Sequence, residues 1–287
     1  MKLSTQIKII DFINKHIPCF LDDFITRKIA KGTYLSQVEF HLVDHCNLNC
    51  AHCDHFTPLA KEYFADIEDI VNDFKKLKKI FDNIGKIYIV GGEPLLHPDL
   101  LKIFNPLRTL YPKSEIIIIT NGILLDKQKD EFWEKLKEYD IALSMTHYPL
   151  NIDYLGYIEK CKNLGIKAYY FSLNRDKMQK MDLDIKGSRN KKRAFLKCTR
   201  KKCHFLRDGK LYVCTPAPNI KFLNEYFNLN FKLNKTDYID LEKIKSASKI
   251  NKLFKRPIEF CKYCNDEDLS YDKYRISKKE LSEWVKS

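Results

Sequence analysis

Three cysteines stand close together in the run Cys46-Asn-Leu-Asn-Cys50-Ala-His-Cys53. Thiolates are the usual ligands of iron–sulfur clusters, and one tight loop can wrap three of them around a single cubane. Three ligands in place of four leave one iron open to a substrate or cofactor. A zinc site is the blander alternative, although zinc usually takes two separated Cys or His pairs. A second set comprises Cys198, Cys203, Cys214, Cys261 and Cys264. The two sets hold eight of the ten cysteines, and clustered cysteines in a protein of this kind hold metal more often than they pair as disulfides. Cys19 and Cys161 fall on amphipathic stretches and read as ordinary buried residues.

The elements that must position these residues alternate in type. Short β-rich runs at 38–45, 86–92, 114–122, 140–147 and 166–173 are separated by helix-like stretches near 65–83, 98–111, 126–139 and 153–164. Such alternation predicts βαβ units and a parallel α/β sheet, either a barrel or an open doubly wound sheet. The three-cysteine run follows the first strand directly. Gly91-Gly92-Glu93-Pro94 ends the second strand, Thr120-Asn121-Gly122 the third, and Ser144 and Thr146 the fourth. C-terminal strand ends are where both architectures assemble active sites. Adjacent glycines also let backbone carbonyls approach a ligand closely. After the alternating region, 203–214 reads as a hairpin turning at Asp208-Gly209. A helix is expected near 239–254 and a charged helix at the end, while the first 35 residues read as one or two amphipathic helices.

With 287 residues, 44% apolar content and only 9 Gly and 10 Pro, the chain is long and apolar enough to fold around a real core. No stretch approaches the roughly 18 apolar residues of a membrane span. Asp11, Lys15 and His16 interrupt the N-terminal apolar run, and no small-residue cleavage site follows, so no signal peptide is expected and the cytoplasm is the expected location. The net charge of +13 comes from lysine spread throughout the chain, which suits a solvated basic surface, and no nucleic-acid partner is expected. Lys186–Lys202 holds nine Lys or Arg and no acid. It reads as a solvated connector, or alternatively as a grip on the diphosphate of a nucleotide-linked sugar.

The C-x3-C-x2-C loop after a first strand, the Gly-Gly-Glu-Pro segment after the second and the polar ends of the third and fourth resemble the radical S-adenosylmethionine (SAM) superfamily. That resemblance implies a partial (β/α)6 TIM-like barrel and a [4Fe–4S] cluster on Cys46, Cys50 and Cys53, whose open iron chelates SAM. An electron donor such as flavodoxin or ferredoxin would then drive cleavage of SAM to a 5′-deoxyadenosyl radical, which abstracts a substrate hydrogen. By the same resemblance, Gly91, Gly92, Glu93 and Pro94 hold the SAM amino group, and Thr120, Asn121 and Ser144 reach its ribose and carboxylate. His52 stands near the adenine, where the family usually has an aromatic residue. The second cysteine set resembles the twitch subdomain, a shortened SPASM domain that binds one auxiliary [4Fe–4S] cluster through four Cys. Cys214, Cys261 and Cys264 would be three ligands. The fourth is Cys198 or Cys203, and the longer spacing to Gly209 favours Cys198. A structural zinc ribbon on the same residues is the alternative. The implied organisation is an N-terminal helical extension at 1–37, a radical SAM core at 38–195, a twitch/SPASM-like subdomain at 196–270 and a C-terminal helix at 271–287.

Family members with one auxiliary cluster in a twitch domain include 2-deoxy-scyllo-inosamine dehydrogenase, so the resemblance implies oxidation or epimerisation of a sugar or cyclitol carbon. The run Asp54–Ala60 resembles a subgroup associated with surface-polysaccharide loci, which points the same way. The spare Cys203 would return a hydrogen atom to a substrate radical in an epimerase. His55 and His147, with Asp54 and His97, are candidates for the base. A maturase of ribosomally made peptides is a second reading, although only 37 residues precede the first expected strand. A zinc or nucleic-acid-binding module is a third, in which the Gly-Gly-Glu-Pro segment has no role.

Overall fold

The computed structural model describes residues 32–172 and 176–286. The helices expected in the first 31 residues, with Cys19, lie outside the described residues. Five parallel strands form the framework: β1 (Tyr34–Val43), β2 (Asn83–Gly91), β3 (Glu115–Thr120), β4 (Ile141–Thr146) and β5 (Ala168–Ser172). Helices α1 (Ile67–Lys78), α2 (Phe104–Leu110), α3 (Asp130–Glu138) and α4 (Tyr154–Leu164) connect them. The spatial order β5-β4-β3-β2-β1 runs in one direction without reversal. Right-handed crossovers then put the helices on one face and leave the other face as an interior, as in a partial barrel and unlike a doubly wound sheet.

Local chemistry explains the elements. Ile116, Ile117 and Ile118 of β3 are all buried, as a strand covered on both faces requires. Helix α1 starts where Asp66 Oδ1 accepts the backbone N–H groups of Glu68 and Asp69, and it ends among Lys75, Lys76 and Lys78. Helix α4 is capped by Asp153 and stopped by Gly165 in the left-handed conformation. Phe40 of β1 packs edge-on against Phe74 of α1, with ring centroids 5.2 Å apart. Its sequence neighbour Glu39 lies on the opposite face, toward the interior.

The sheet continues beyond β1, opposite β2. Strand β7 (Phe205–Arg207) pairs in parallel with β1, and β8 (Lys210–Tyr212) and β9 (Tyr238–Asp240) follow antiparallel. The β7–β8 hairpin turns at Asp208-Gly209, both with positive φ (52° and 69°), as a two-residue hairpin loop demands. Helix α5 (Lys191–Lys197) precedes the hairpin, and α6 (Pro216–Phe227) and α7 (Ala247–Phe254) follow β8 and β9. No helix among the described residues is long and apolar enough to cross a membrane.

Several expectations need correction. The sixth parallel strand, β7, lies beside β1 and not beside β5, whereas β6 (Lys177–Gln179) pairs antiparallel with β10 (Tyr271–Lys273) in a separate ribbon. Strand β1 begins at Tyr34, inside the expected 1–37 extension, since its register with β2 starts at Tyr34 opposite Asn83. Helix α5 crosses the expected boundary between 195 and 196. The helix expected over 239–254 is strand β9 followed by α7, which starts only after its Ser246 cap. The helix expected at 271–287 does not form. Residues 271–273 join a ribbon, Lys279 is left-handed (φ 58°), and a short 3-10 turn at Leu281–Glu283 anchors buried Trp284.

Candidate active site

The loop after β1 carries Cys46, Cys50 and Cys53 to the rim of one cavity of about 320 Å3. The loop is held from outside by the C-terminal segment. Ala51 N–H donates to the Arg275 carbonyl (3.0 Å), Ser277 N–H to the Asn49 carbonyl (2.8 Å), and Trp284 Nε1–H to the Cys53 carbonyl (2.8 Å). Two donors point at Cys46 Sγ: the Leu48 backbone N–H at 3.4 Å and Asn121 Nδ2 at 3.8 Å. Burial, with the Glu93 charge nearby, pushes the Cys46 thiol up to about 12, and burial raises Cys53 as well. Thiols so reluctant to ionise alone become thiolates when a metal takes the place of the proton.

The Gly-Gly-Glu-Pro segment is zipped onto this loop. Gly92 N–H donates to the Val43 carbonyl (2.7 Å) and Glu93 N–H to the His45 carbonyl (3.2 Å). A Cβ at Gly92 would lie 1.8 Å from the His45 oxygen, so only glycine permits the approach. Glu93 is buried and satisfied from within the protein. Its Oε1 accepts Thr120 Oγ1 (2.8 Å) and Leu95 N–H (3.1 Å), and Oε2 accepts Asn121 N–H (2.9 Å). Burial still lifts its carboxyl to about 7. Asn121 Nδ2 reaches Asn47 Oδ1 at 2.8 Å, tying the end of β3 to the cysteine loop. Gly91, Gly92, Glu93, Thr120 and Asn121 all line the cavity, with Thr146, whereas Pro94 and Ser144 do not. Ser144 is fully buried below Thr146, and its hydroxyl has no hydrogen-bond partner.

Three histidines stand elsewhere. His52 has left-handed backbone (φ 59°), and its ring meets the Glu283 carbonyl (2.6 Å) and Asp272 Oδ2 (3.0 Å), away from the cavity. It therefore braces the C-terminal segment and does not line the cavity. His147 packs between the rings of Tyr154 (4.7 Å) and Tyr170 (5.8 Å), outside the cavity lining. His97 bonds the Ala65 carbonyl and the Asp99 N–H, both local contacts. His55 does line the cavity, and its Nδ1 lies 2.7 Å from His41 Nε2.

The second cysteine set divides. Cys198 caps α5, Cys214 precedes α6, Cys261 lies within the 3-10 turn Glu259–Tyr263, and Cys264 caps that turn. Burial first, and then Cys264, Cys198 and Cys261, push the Cys214 thiol well above its usual range, so these four sulfurs are neighbours. Cys203 faces the other way. It lines the active-site cavity, and after burial its strongest neighbours are Glu39 and Asp54. Arg200 stands between the two regions, donating to Asp54 Oδ2 at 2.6 Å while Cys198 and Cys264 act on its charge. Its own backbone N–H points at Cys198 Sγ (3.3 Å). No three His, Cys, Asp or Glu side chains among the described residues converge as ligands of a single ion would. Three cysteines on one loop are the donor set that a [4Fe–4S] cluster with one open iron requires.

Part of the basic stretch at 186–202 is neither free connector nor free phosphate grip. Lys191 pairs with Glu259, Lys197 with Asp268 (2.7 Å), and Arg189 with Glu267 (3.2 Å), clasping α5 onto the segment that carries Cys261 and Cys264. Two further groups escape sequence reasoning. Arg207 of the hairpin holds Asp44 through two hydrogen bonds (2.9 and 2.6 Å), while His41 Nδ1 lies 2.9 Å from the same carboxylate. Burial alone would raise Asp44, but the bonds from His41 and Arg207 outweigh it and hold the carboxylate well below its usual range. The other is Glu39, a lone acid inside the apolar run Val38–Val43. That placement was the one visible signal of a special role.

Residues 41–157 match the family model described as the radical SAM superfamily. A GTP 3′,8-cyclase of Clostridium perfringens is 31% identical over 150 residues, covering 48% of this chain and 46% of its own length. Another from Microcystis aeruginosa is 30% identical over 118 residues, covering 38% and 35%. The chain thus spans less than half the length of these relatives. BtrN, solved in complex with AdoMet and 2-DOIA, shares the fold, with a TM-score of 0.51 and 18% identity over 80% of this chain and 93% of that one.

Proposed function

Since the chain carries a radical SAM domain over residues 41–157, we propose that it is a radical enzyme that oxidises or epimerises a sugar or cyclitol carbon, with a second cluster behind the substrate space. When bound, the first cluster and SAM supply a 5′-deoxyadenosyl radical that removes a substrate hydrogen. Cys46, Cys50 and Cys53 are the ligands of that cluster. Gly91, Gly92, Thr120, Asn121 and Thr146 shape the wall on which SAM lies, with Glu93 bracing Thr120 and Asn121 from beneath. Cys198, Cys214, Cys261 and Cys264 are the ligands of the auxiliary [4Fe–4S] cluster, in a twitch-like segment joined to the core through β7. Cys203, on the cavity side, is free to return a hydrogen atom, while His55 and Asp54 are the groups placed to take a hydroxyl proton.

The observation that carries this reading is that a single cavity joins the three-cysteine loop to Cys203, with the other four cysteines grouped just beyond Arg200. A nucleoside triphosphate, suggested by the name of the sequence relatives, finds little to hold it there. Arg200 is the only Lys or Arg lining the cavity among the described residues, and it is already paired with Asp54. Peptide maturation gains no specific support from the site.

Anaerobic reconstitution tests the proposal. About eight iron per chain and reductive formation of 5′-deoxyadenosine are expected, the latter stimulated by a sugar or cyclitol. In D2O, solvent deuterium at an inverted carbon identifies an epimerase, and a carbonyl product without inversion identifies a dehydrogenase. Bound zinc with no SAM cleavage would defeat the reading.

A further inference from the structure

Glu39 stands apart from the other acids of the site. It sits in mid-β1 at only 8% exposure, and its backbone N–H donates to the His204 carbonyl (2.8 Å), which brings the stretch after Cys203 alongside. Its side chain lines the active-site cavity, yet Oε1 is buried without a hydrogen-bond partner. The other acids around the site are all satisfied. Glu93 accepts three donors, Asp44 is held by Arg207 and His41, and Asp54 is held by Arg200. A buried carboxyl left unpaired weakens the ligand-free protein, and such an arrangement persists where something bound supplies the missing donor. Burial, reinforced by the Asp54 charge, already pushes the Glu39 carboxyl up to about 8. The cavity therefore holds more acid than base: Glu39, Asp54 and Glu93 face one guanidinium, and that guanidinium is committed to Asp54.

We propose that Glu39 anchors a primary ammonium group of the substrate, so that the enzyme acts on an amino-substituted sugar or cyclitol in preference to a neutral polyol. The claim rests on the carbohydrate reading above and sharpens it. An ammonium brings both the donor that Oε1 lacks and the charge that the cavity lacks. A hydroxyl brings only the donor, and charge-assisted hydrogen bonds are about twice as strong as neutral ones.

The test uses the full chain with both clusters reconstituted and SAM present. Four probes form two pairs: glucosamine against glucose, and 1-amino-1-deoxy-scyllo-inositol against scyllo-inositol. Dissociation constants from calorimetric titration should favour an amino member by about tenfold or more, and Glu39→Gln should erase that preference. Ligand-free Glu39→Leu should also melt above the wild-type protein, because no polar group is then left buried and unpaired; a residue that merely supports the fold would give a lower melting temperature. Equal binding within both pairs, or an amino preference that survives Glu39→Gln, overturns the assignment. Failure of all four probes to bind, with SAM cleavage intact, defeats the carbohydrate reading itself and the ammonium claim with it.

Discussion

Replacing Arg207 with Met should destabilise the protein by about 3–5 kcal/mol, the cost of stranding one partner of a buried ion pair. The Arg207 and Asp44 side chains are 11% and 4% exposed and meet at 2.6 Å. Methionine keeps much of the apolar stem but leaves the carboxylate with His41 alone. Burial, opposed only in part by Asp44, holds His41 down at about 3, so it is neutral and brings no second cation. With a urea slope near 3 kcal/mol/M, the unfolding midpoint of the reconstituted protein should fall by roughly 1–2 M under anaerobic conditions. The double variant Asp44→Asn/Arg207→Met removes the stranded charge and should recover most of the loss. A single variant within about 0.3 M of wild type, the shift expected of an exposed pair, would refute the argument. The hairpin would then be held to the cysteine loop by other contacts.

Three further outcomes are expected. Cys198→Ala should lower iron from about eight to about four per chain while Cys203→Ala retains about eight; the reverse pattern would make Cys203 the ligand. Burial holds His204 at about 4 against an ordinary 6.5. Unfolding therefore takes up a proton, and the stabilisation is complete above pH 6.5 and lost as pH falls toward 4. Between pH 8 and 5 that is about 2 kcal/mol, and His204→Phe should flatten the pH dependence of the urea midpoint by that amount. Gly92→Ala forces a methyl against the His45 carbonyl, 1.8 Å away before relaxation. It should slow 5′-deoxyadenosine formation by about 100-fold, the scale of an ångström-sized misplacement, and wild-type rates would show that the two loops need not touch.

The parts of the site legible in the sequence are those whose chemistry is fixed by local spacing. Cys46, Cys50 and Cys53 share one loop, and Gly91-Gly92 shows its purpose because the constraint on it is steric. Asp208-Gly209 predicts its hairpin for the same reason. Groups that act across long separations were hidden. Arg200 meets Asp54 146 residues away, and Arg207 meets Asp44 at a separation of 163. The same stretch that supplies Arg200 looked like free positive charge, because its acidic partners at 259–268 lie far along the chain. Helix α6 escaped notice behind Pro216 and Pro218, although proline is tolerated in a first helical turn. A left-handed backbone, which sequence does not announce, turns the His52 ring toward Asp272.

The strap from Arg275 to Trp284 over the cysteine loop sets an order of assembly. A chain is made from its N-terminus at roughly 5–20 residues per second, so the 231 residues between Cys53 and Trp284 take on the order of ten seconds or more to follow. Throughout that interval the three thiols stand on a loop whose Asn49, Ala51 and Cys53 backbone groups lack the partners that later hold them. Iron delivered during synthesis meets a different, looser ligand set from iron delivered afterwards. Maturation of this protein is therefore a matter of timing as well as of affinity, with the parallel sheet formed early and the strap closing last.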